Sequence, residues 1–265
     1  MTEKEYRQNA AISRSQLAWI AQSPEKFKYN MDNPEEPTPS LVFGQLVHKL
    51  LLQPESFSED FAILPVLDRR TKAGKDLYNN FLEQNKGKTV VDREMFREAE
   101  RLCNAARQNP LVRRLLKGER EIPLFWTDDL TDEECKCRPD VLTRVAGKLT
   151  VVDVKTTANA ESEAFQRDAV KYHYDLQCGM YSEGVEKNYG ERPDFVFLVI
   201  EKEPPYAVNI LKASEDFYLH GIDKFREFLG IYHDCKTTGN WWGYLGKNTL
   251  VNNLDLPAYL AAKNN

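Results

Sequence analysis

Apolar residues recur at helical spacing over the first 115 positions or so, switch to alternation, and return to helical spacing near residue 161. Residues 13–30 put Leu17, Ile20 and Ala21 on one helix face, with Pro24 breaking or restarting the helix. Pro34, Pro37 and Pro39 make a stiff loop. Ser40 then reads as the cap of a strongly apolar helix running to about Gln53, with Pro54 just beyond. A short strand is predicted at residues 61–64. Helices follow from Thr71 to about Asn85 and from Asp92 to about Gln108, each opened by a side chain able to cap it. Residues 122–127, 134–144 and 149–156 then read as three strands joined by tight turns. Residues 161–188 are helical, in two pieces meeting near Val170. Residues 194–201 and 206–212 are strands separated by Pro204-Pro205, and Ser214 opens a last amphipathic helix through about His233. The stretch after Gly239 is irregular and clusters Trp241, Trp242 and Tyr244. No repeat or low-complexity linker interrupts the chain. The expectation is one α/β domain over residues 1–265: a mostly helical part (1–115), a core (116–238) and a tail (239–265).

One hairpin in this pattern carries chemistry. Val141, Leu142 and Val145 end one strand, Ala146-Gly147-Lys148 turn the chain, and residues 149–154 form the next strand. The turn folds Asp140 back towards Asp153. Side chains alternate along a strand, so Asp153 and Lys155 share one face while Val152 and Val154 point into a core. The resulting set, Pro139-Asp140 followed by Asp153-Val154-Lys155, can bind a divalent cation and hold a water beside a phosphate. Mg²⁺ takes hard oxygen ligands and usually keeps waters. Asp140, Asp153 and a main-chain carbonyl such as that of Val154 would leave room for a phosphate oxygen and the attacking water. The Lys155 ammonium can orient or help deprotonate that water and offset charge on phosphorus. The plain alternative is a turn aspartate and two solvated strand residues.

His48 bears on that choice. It interrupts the apolar run Leu46-Val47-His48-Lys49-Leu50, one helical turn after Gly44, where a glycine allows close approach of another backbone. Imidazole is a possible further metal ligand that would admit Mn²⁺ in place of Mg²⁺; an isolated histidine of this kind is ordinarily a satisfied core residue. Gln177 and Tyr181 lie four apart on the helix after the D-x-K strand, so an amide and a phenol share one face and can hold a phosphate or the lysine. Glu121 is a candidate extra acid near the metal or a surface glutamate. Arg69, Arg70, Lys72 and Lys75 gather where a loop meets a helix start, suited to a DNA backbone or a terminal 5′-phosphate. Arg113, Arg114 and Lys117 read as a solvated face, and Trp241, Trp242 and Tyr244 could stack bases, although such a cluster more often caps a core.

Composition limits the picture only loosely. The formal charge of −5, with 29% charged residues, gives no global nucleic-acid signal, but phosphate contacts need only local basic groups. The charged N-terminus lacks an apolar signal region, and the longest apolar runs are strand-length, so neither secretion nor a membrane span is expected. Five cysteines without a regular framework point to a reducing, cytoplasmic setting. The pair Cys135 and Cys137 is read as facing opposite sides of a strand.

The ordered set Gly44-x-x-x-His48, Pro139-Asp140, Asp153-x-Lys155 and Gln177-x-x-x-Tyr181 resembles the RecB-like branch of the PD-(D/E)xK nuclease superfamily. The opening from Ser13 to Tyr29, the run from Arg69 to Lys75, Lys136-Cys137-Arg138-Pro139-Asp140 and Asp153-x-Lys155-Thr156-Thr157 further resemble the RecE-type (exonuclease VIII) nuclease domain and its phage relatives. The resemblance covers nearly the whole chain. It implies a central mixed β-sheet flanked by helices, with the active site at the hairpin's edge. It also implies His48, Asp140 and Asp153 as metal ligands, Lys155 as catalytic lysine, and Gln177 and Tyr181 in support. The implied activity is Mg²⁺-dependent digestion of double-stranded DNA ends, 5′ to 3′, leaving 3′ single-stranded tails for phage-type recombination. The implied partners are a single-strand annealing protein and further copies of the chain in a ring, in a bacterial or phage-encoded setting. Some relatives hold an iron–sulfur cluster on one cysteine before the core and three after it; here only Cys178 and Cys235 follow the D-x-K motif, so no cluster is expected. Rival readings are an endonuclease or single-strand nuclease of the same superfamily, and a non-catalytic DNA-binding module. The intact Asp140, Asp153 and Lys155 argue against the last.

Overall fold

A computed structural model describes residues 1, 3–246, 251 and 254–255, so the end of the expected tail lies outside the described residues. The N-terminal part contains α1 (Glu3–Gln8), β1 (Ile12–Ser13), α2 (Arg14–Ile20), α3 (Pro24–Asp32) and α4 (Pro39–Leu52). The helix expected over residues 13–30 is indeed split: the Ser23 side chain caps α3, and Pro24 fills its first position, where a missing N–H is no loss. The cap of α4 is Thr38 rather than Ser40. Its hydroxyl accepts from the Leu41 N–H at 3.3 Å, and Pro39 stands first in the helix. Next come α5 (Phe57–Asp60), β2 (Phe61–Ile63), α6 (Lys72–Gln84), β3 (Thr89–Val91), α7 (Arg93–Gln108) and α8 (Pro110–Leu115). Thr71 and Asp92 cap α6 and α7 as the pattern predicts. Strand β3, which pairs in parallel with β2, and helix α8 are additions, too short to leave a periodic signal.

The remainder comprises β4 (Glu119–Arg120), β5 (Leu124–Thr127), β6 (Glu134–Cys137), β7 (Val141–Val145), β8 (Lys148–Thr157), α9 (Ser162–Lys171), α10 (Tyr174–Tyr189), β9 (Asp194–Glu201), β10 (Val208–Lys212) and α11 (Glu215–Thr238). The single strand expected over residues 134–144 is two strands in two sheets. β6 pairs with β5 and β1, whereas β7 joins a five-stranded sheet ordered β10-β9-β8-β7-β4. Pro139 accounts for the break, because it has no N–H for a ladder and fixes its own backbone angle. Cys135 and Cys137 lie in the same core rather than on opposite sides, as residues two apart on a strand must.

Turn chemistry sets the register of the β7–β8 hairpin. Ala146 and Gly147 have φ of 51° and 85°, both in the left-handed region that a two-residue hairpin turn requires, and glycine takes the second position without a steric penalty. Pairing of Val141 with Val152 then brings Asp140 alongside Asp153. β8 and β9 are parallel, joined by the crossover through α9 and α10.

Alternation along β8 and β9 feeds two cores. Leu149, Val151, Phe195, Phe197 and Val199 face one; Val152, Val154, Val196, Leu198 and Ile200 face the other. Each such apolar side chain contributes about 1.5–3 kcal/mol when fully buried. α10 and α11 cover the first face, α4 and α7 the second. α10 and α11 touch backbone to backbone at Gly179 and Gly221: a β-carbon added to Gly221 would lie 1.9 Å from the Asp175 carbonyl oxygen. Trp241 stacks on Phe27 with ring centres 5.1 Å apart, capping the core as expected. Among the described residues, no helix is long and apolar enough to cross a membrane.

Candidate active site

Asp140 sits where the chain leaves β6 for β7, and the edge of β8 fixes its carboxylate. Its Oδ2 accepts the Val154 N–H at 2.6 Å and lies 3.6 Å from His48 Nδ1. α4 delivers His48 from the opposite sheet face, and His48 Nε2 lies 2.8 Å from the Val154 carbonyl oxygen. A carbonyl can only accept, so Nε2 carries the hydrogen, and in the neutral ring Nδ1 keeps a lone pair beside Asp140. The Val154 carbonyl, read from the sequence as a metal ligand, is engaged by His48 in this arrangement. A β-carbon on Gly44 would meet only the Thr156 hydroxyl, at an ordinary 3.6 Å, so packing alone does not require that glycine.

Glu121 lies just past β4, ahead of β5. Its backbone is left-handed, with φ of 52°, its N–H donates to the Asp140 carbonyl at 3.1 Å, and its Oε2 pairs with Arg138 Nε at 2.8 Å. One ligand atom from each of His48, Glu121 and Asp140 lies within 4.8 Å of the other two.

Asp153 is turned the other way. It is 1% exposed, its Oδ1 accepts from Gln177 Nε2 at 2.5 Å, and its Oδ2 lies 2.5 Å from Lys155 Nζ. That last contact is a buried ion pair, with the ammonium set directly against Oδ2. Desolvation raises the Asp153 carboxyl above its ordinary value, opposed by Lys155 and reinforced by the charge of Asp140. Gln177 also accepts from Lys155 Nζ at 3.1 Å, so one amide holds both the acid and the lysine. The ammonium lies 4.6 Å from the centre of the Tyr174 ring, a contact with no counterpart in the sequence reading.

Tyr181, one turn beyond Gln177, packs its ring on the core. Its hydroxyl is pushed well above the usual phenol value by desolvation, with Tyr6, Cys137, Asp153 and Asp140 adding to the effect. The basic group is engaged locally. Arg70 forks onto Asp68 at 2.9 and 3.1 Å, Arg69 lies 4.9 Å from the Tyr78 ring centre, and Lys72 and Lys75 are exposed on the first turn of α6. Arg113 donates to the carbonyls of Arg107 and Gln108 at the end of α7.

The donor set suits a divalent cation. It combines the His48 imidazole with the carboxylates of Asp140 and Glu121, while the Asp153 carboxylate beside them is ion-paired with Lys155. The sequence-predicted His48, Asp140, Asp153, Lys155 and Gln177 thus converge at one sheet edge with Glu121, while the basic group of α6 is described by its own local contacts.

A family model described as a PDDEXK-like domain of unknown function (DUF3799) matches residues 13–253. A crystal structure from Eubacterium rectale, of a protein named provisionally as an exonuclease, superimposes with a TM-score of 0.63. It covers 99% of this chain and 97% of that one at 15% identity, a likeness of fold. A structure of SSO0001 covers 86% of this chain and 81% of that one at 12% identity, with a TM-score of 0.43. No curated protein sequence matches the chain significantly.

Proposed function

The chain belongs to the PDDEXK-like family DUF3799, and from that membership and the geometry of its sheet edge we propose that it is a Mg²⁺-dependent exonuclease acting on double-stranded DNA ends. One observation carries the reading: Asp153, Lys155 and Gln177 form a bonded unit directly beside Asp140, His48 and Glu121. A purely structural edge has no need to bury an acid and a lysine beside a second set of cation-binding groups.

Asp140, Glu121, His48 and Asp153 would hold the cation, with Mn²⁺ a workable substitute because one donor is imidazole. A bound divalent cation supplies charge neutralisation at the phosphate and a more acidic water. The chain's own groups do the rest. Lys155 reaches the scissile phosphate with its ammonium, orients the attacking water and offsets charge as the phosphorus becomes five-coordinate. Gln177 fixes Lys155 and Asp153 relative to each other, so neither reorganises during the reaction. Water adds to phosphorus, the bond to the leaving sugar oxygen breaks, and that oxygen takes up a proton.

Digestion of the 5′-ended strand to leave 3′ tails, a ring of identical subunits and a single-strand annealing partner belong to the same proposal. They are supported by the RecE-type resemblance, and the exonuclease name of the Eubacterium rectale neighbour agrees with action at ends. With Mg²⁺, linear duplex should be degraded and covalently closed circles spared. Chelator should stop the reaction, and Asp153→Asn should lower the rate by about a thousandfold or more with DNA binding retained. Equal cutting of closed circles would make the protein an endonuclease built on the same edge.

A further inference from the structure

The chemistry proposed above leaves one neighbouring feature unused. Between the end of α9 at Lys171 and the start of α10 at Tyr174, the chain makes a tight turn through Tyr172 and His173. His173 lies in the left-handed region, with φ of 55° and ψ of 43°, an uncommon and strained conformation for a residue with a β-carbon. A residue distant in sequence holds it there. Arg14, at the head of α2, donates through Nη2 to the carbonyl of Tyr172 at 2.5 Å and to that of His173 at 3.1 Å, and its guanidinium lies 5.6 Å from the Tyr174 ring centre.

This clamp presents Tyr172 to solvent. Tyr172 is 48% exposed, and Lys171 Nζ lies 5.0 Å from its ring centre. The Tyr172 and Tyr174 rings are 6.0 Å apart, and Tyr174 is the ring against which Lys155 rests. Outward from the recessed lysine, the order is therefore ammonium, half-buried ring, exposed ring, ammonium. An exposed aromatic on a backbone held in place, with the ammonium of an exposed lysine lying over it, matches the chemistry of single-stranded nucleic acid: a base stacks on the ring in place of the ammonium, which swings to the adjoining phosphate.

We propose that Tyr172 and Lys171 form a stacking subsite for an unpaired nucleobase of the strand being cut, next to the phosphodiester at Lys155. The proposal rests on the nuclease reading and specifies which form of the substrate the site holds. The recess demands such a form. Asp153 is 1% exposed and the Lys155 side chain 16%, so a terminal nucleotide must leave its partner strand for its phosphate to enter. Stacking on Tyr172 offsets part of the lost base stacking. Every base has a π-face, so the subsite should show little base preference.

The test uses the full chain with Tyr172→Ala and Tyr172→Phe; Tyr172 is exposed, so neither change removes a core residue. On linear duplex, Tyr172→Ala should lower kcat/KM by about tenfold to a hundredfold and Tyr172→Phe should restore most of it. In an Asp153→Asn background, which stops cleavage, duplex carrying 2-aminopurine at its end should lose fluorescence on binding. That quenching should persist with Phe and vanish with Ala at position 172. Removing the terminal base should weaken binding to the wild-type residue and leave the Ala variant unaffected. Wild-type cleavage and quenching by Tyr172→Ala, or Phe no better than Ala, would overturn the proposal. If the unaltered protein cuts no DNA, the nuclease reading fails, while the quenching experiment still decides whether Tyr172 stacks a base.

Discussion

Where α4 and α7 cover the main sheet, the packing is largely aliphatic. Leu46, Val47, Leu50, Ala99 and Leu102 meet Val152, Val154, Leu198 and Ile200, and Arg107 closes the end of α4 through the carbonyls of Leu50 and Leu51. Where α10 and α11 cover the other face, acids are threaded through the core. Asp175 accepts from His220 Nδ1 and Lys224 Nζ, each at 2.6 Å. Asp128 and Glu183 share the Arg226 guanidinium, and Trp126 Nε1 donates to Glu183 at 3.1 Å. Glu133 holds His233 and Lys236. The difference reaches the candidate site. The helix that supplies His48 is seated by apolar burial, which pH barely alters. The helix that supplies Gln177 is seated partly by charge pairs, which depend on protonation.

The largest effect should come from breaking a charge pair on the α10–α11 face. Asp175→Asn leaves Lys224 poorly compensated and should cost about 3–5 kcal/mol near neutral pH. Burial alone would raise the Asp175 carboxyl, but hydrogen bonds from Lys224, the Leu176 N–H and His220 hold it below the usual carboxylate range. The folded value is thus below the unfolded one. Its stabilisation is complete above about pH 4 and fades as pH falls through the lower folded value. Urea unfolding should show the gap between variant and wild type narrowing in acid; a constant gap would mean that Asp175 acts through shape alone. Leu46→Ala on the other face should cost about 2–5 kcal/mol through lost burial and a cavity. Its gap should stay constant over the same pH range, and a gap that narrowed would dissolve the contrast between the faces. The smallest change in stability is expected outside both faces. Replacing Arg69, Lys72 and Lys75 with Ala should move stability by only about 0.5 kcal/mol. It should also flatten the dependence of DNA affinity on salt. An unchanged salt slope would remove these residues from the DNA path.

Local periodicity made the hairpin readable in advance. Alternation separated Asp153 and Lys155 from Val152 and Val154, and Ala146-Gly147 marked the turn. His48 stood out because an imidazole is foreign to Leu46-Val47-His48-Lys49-Leu50. The spacing of Gln177 and Tyr181 predicted a shared helix face, but not that one amide would bridge acid and lysine, since the 22 positions between Lys155 and Gln177 close only through tertiary packing. Tyr174 and Arg14 left no signal, because a ring beside an ammonium or a guanidinium on distant carbonyls has no sequence period. The split between β6 and β7 did have a signal in Pro139, a poor residue for a strand interior, and the parity of Cys135 and Cys137 follows from alternation alone.

The contact between His48 and the Val154 carbonyl joins residues 106 positions apart. Contacts of that span close late, because a long loop must lose its freedom before any reward is gained. A chain emerging from the ribosome has His48 long before β8, and the Gln177 that fixes Lys155 comes later still. No early folding fragment therefore contains the whole cluster of His48, Asp140, Asp153, Lys155 and Gln177. The three long-range contacts that gather His48, Lys155 and Gln177 exist only when the sheet and both of its helical covers are in place.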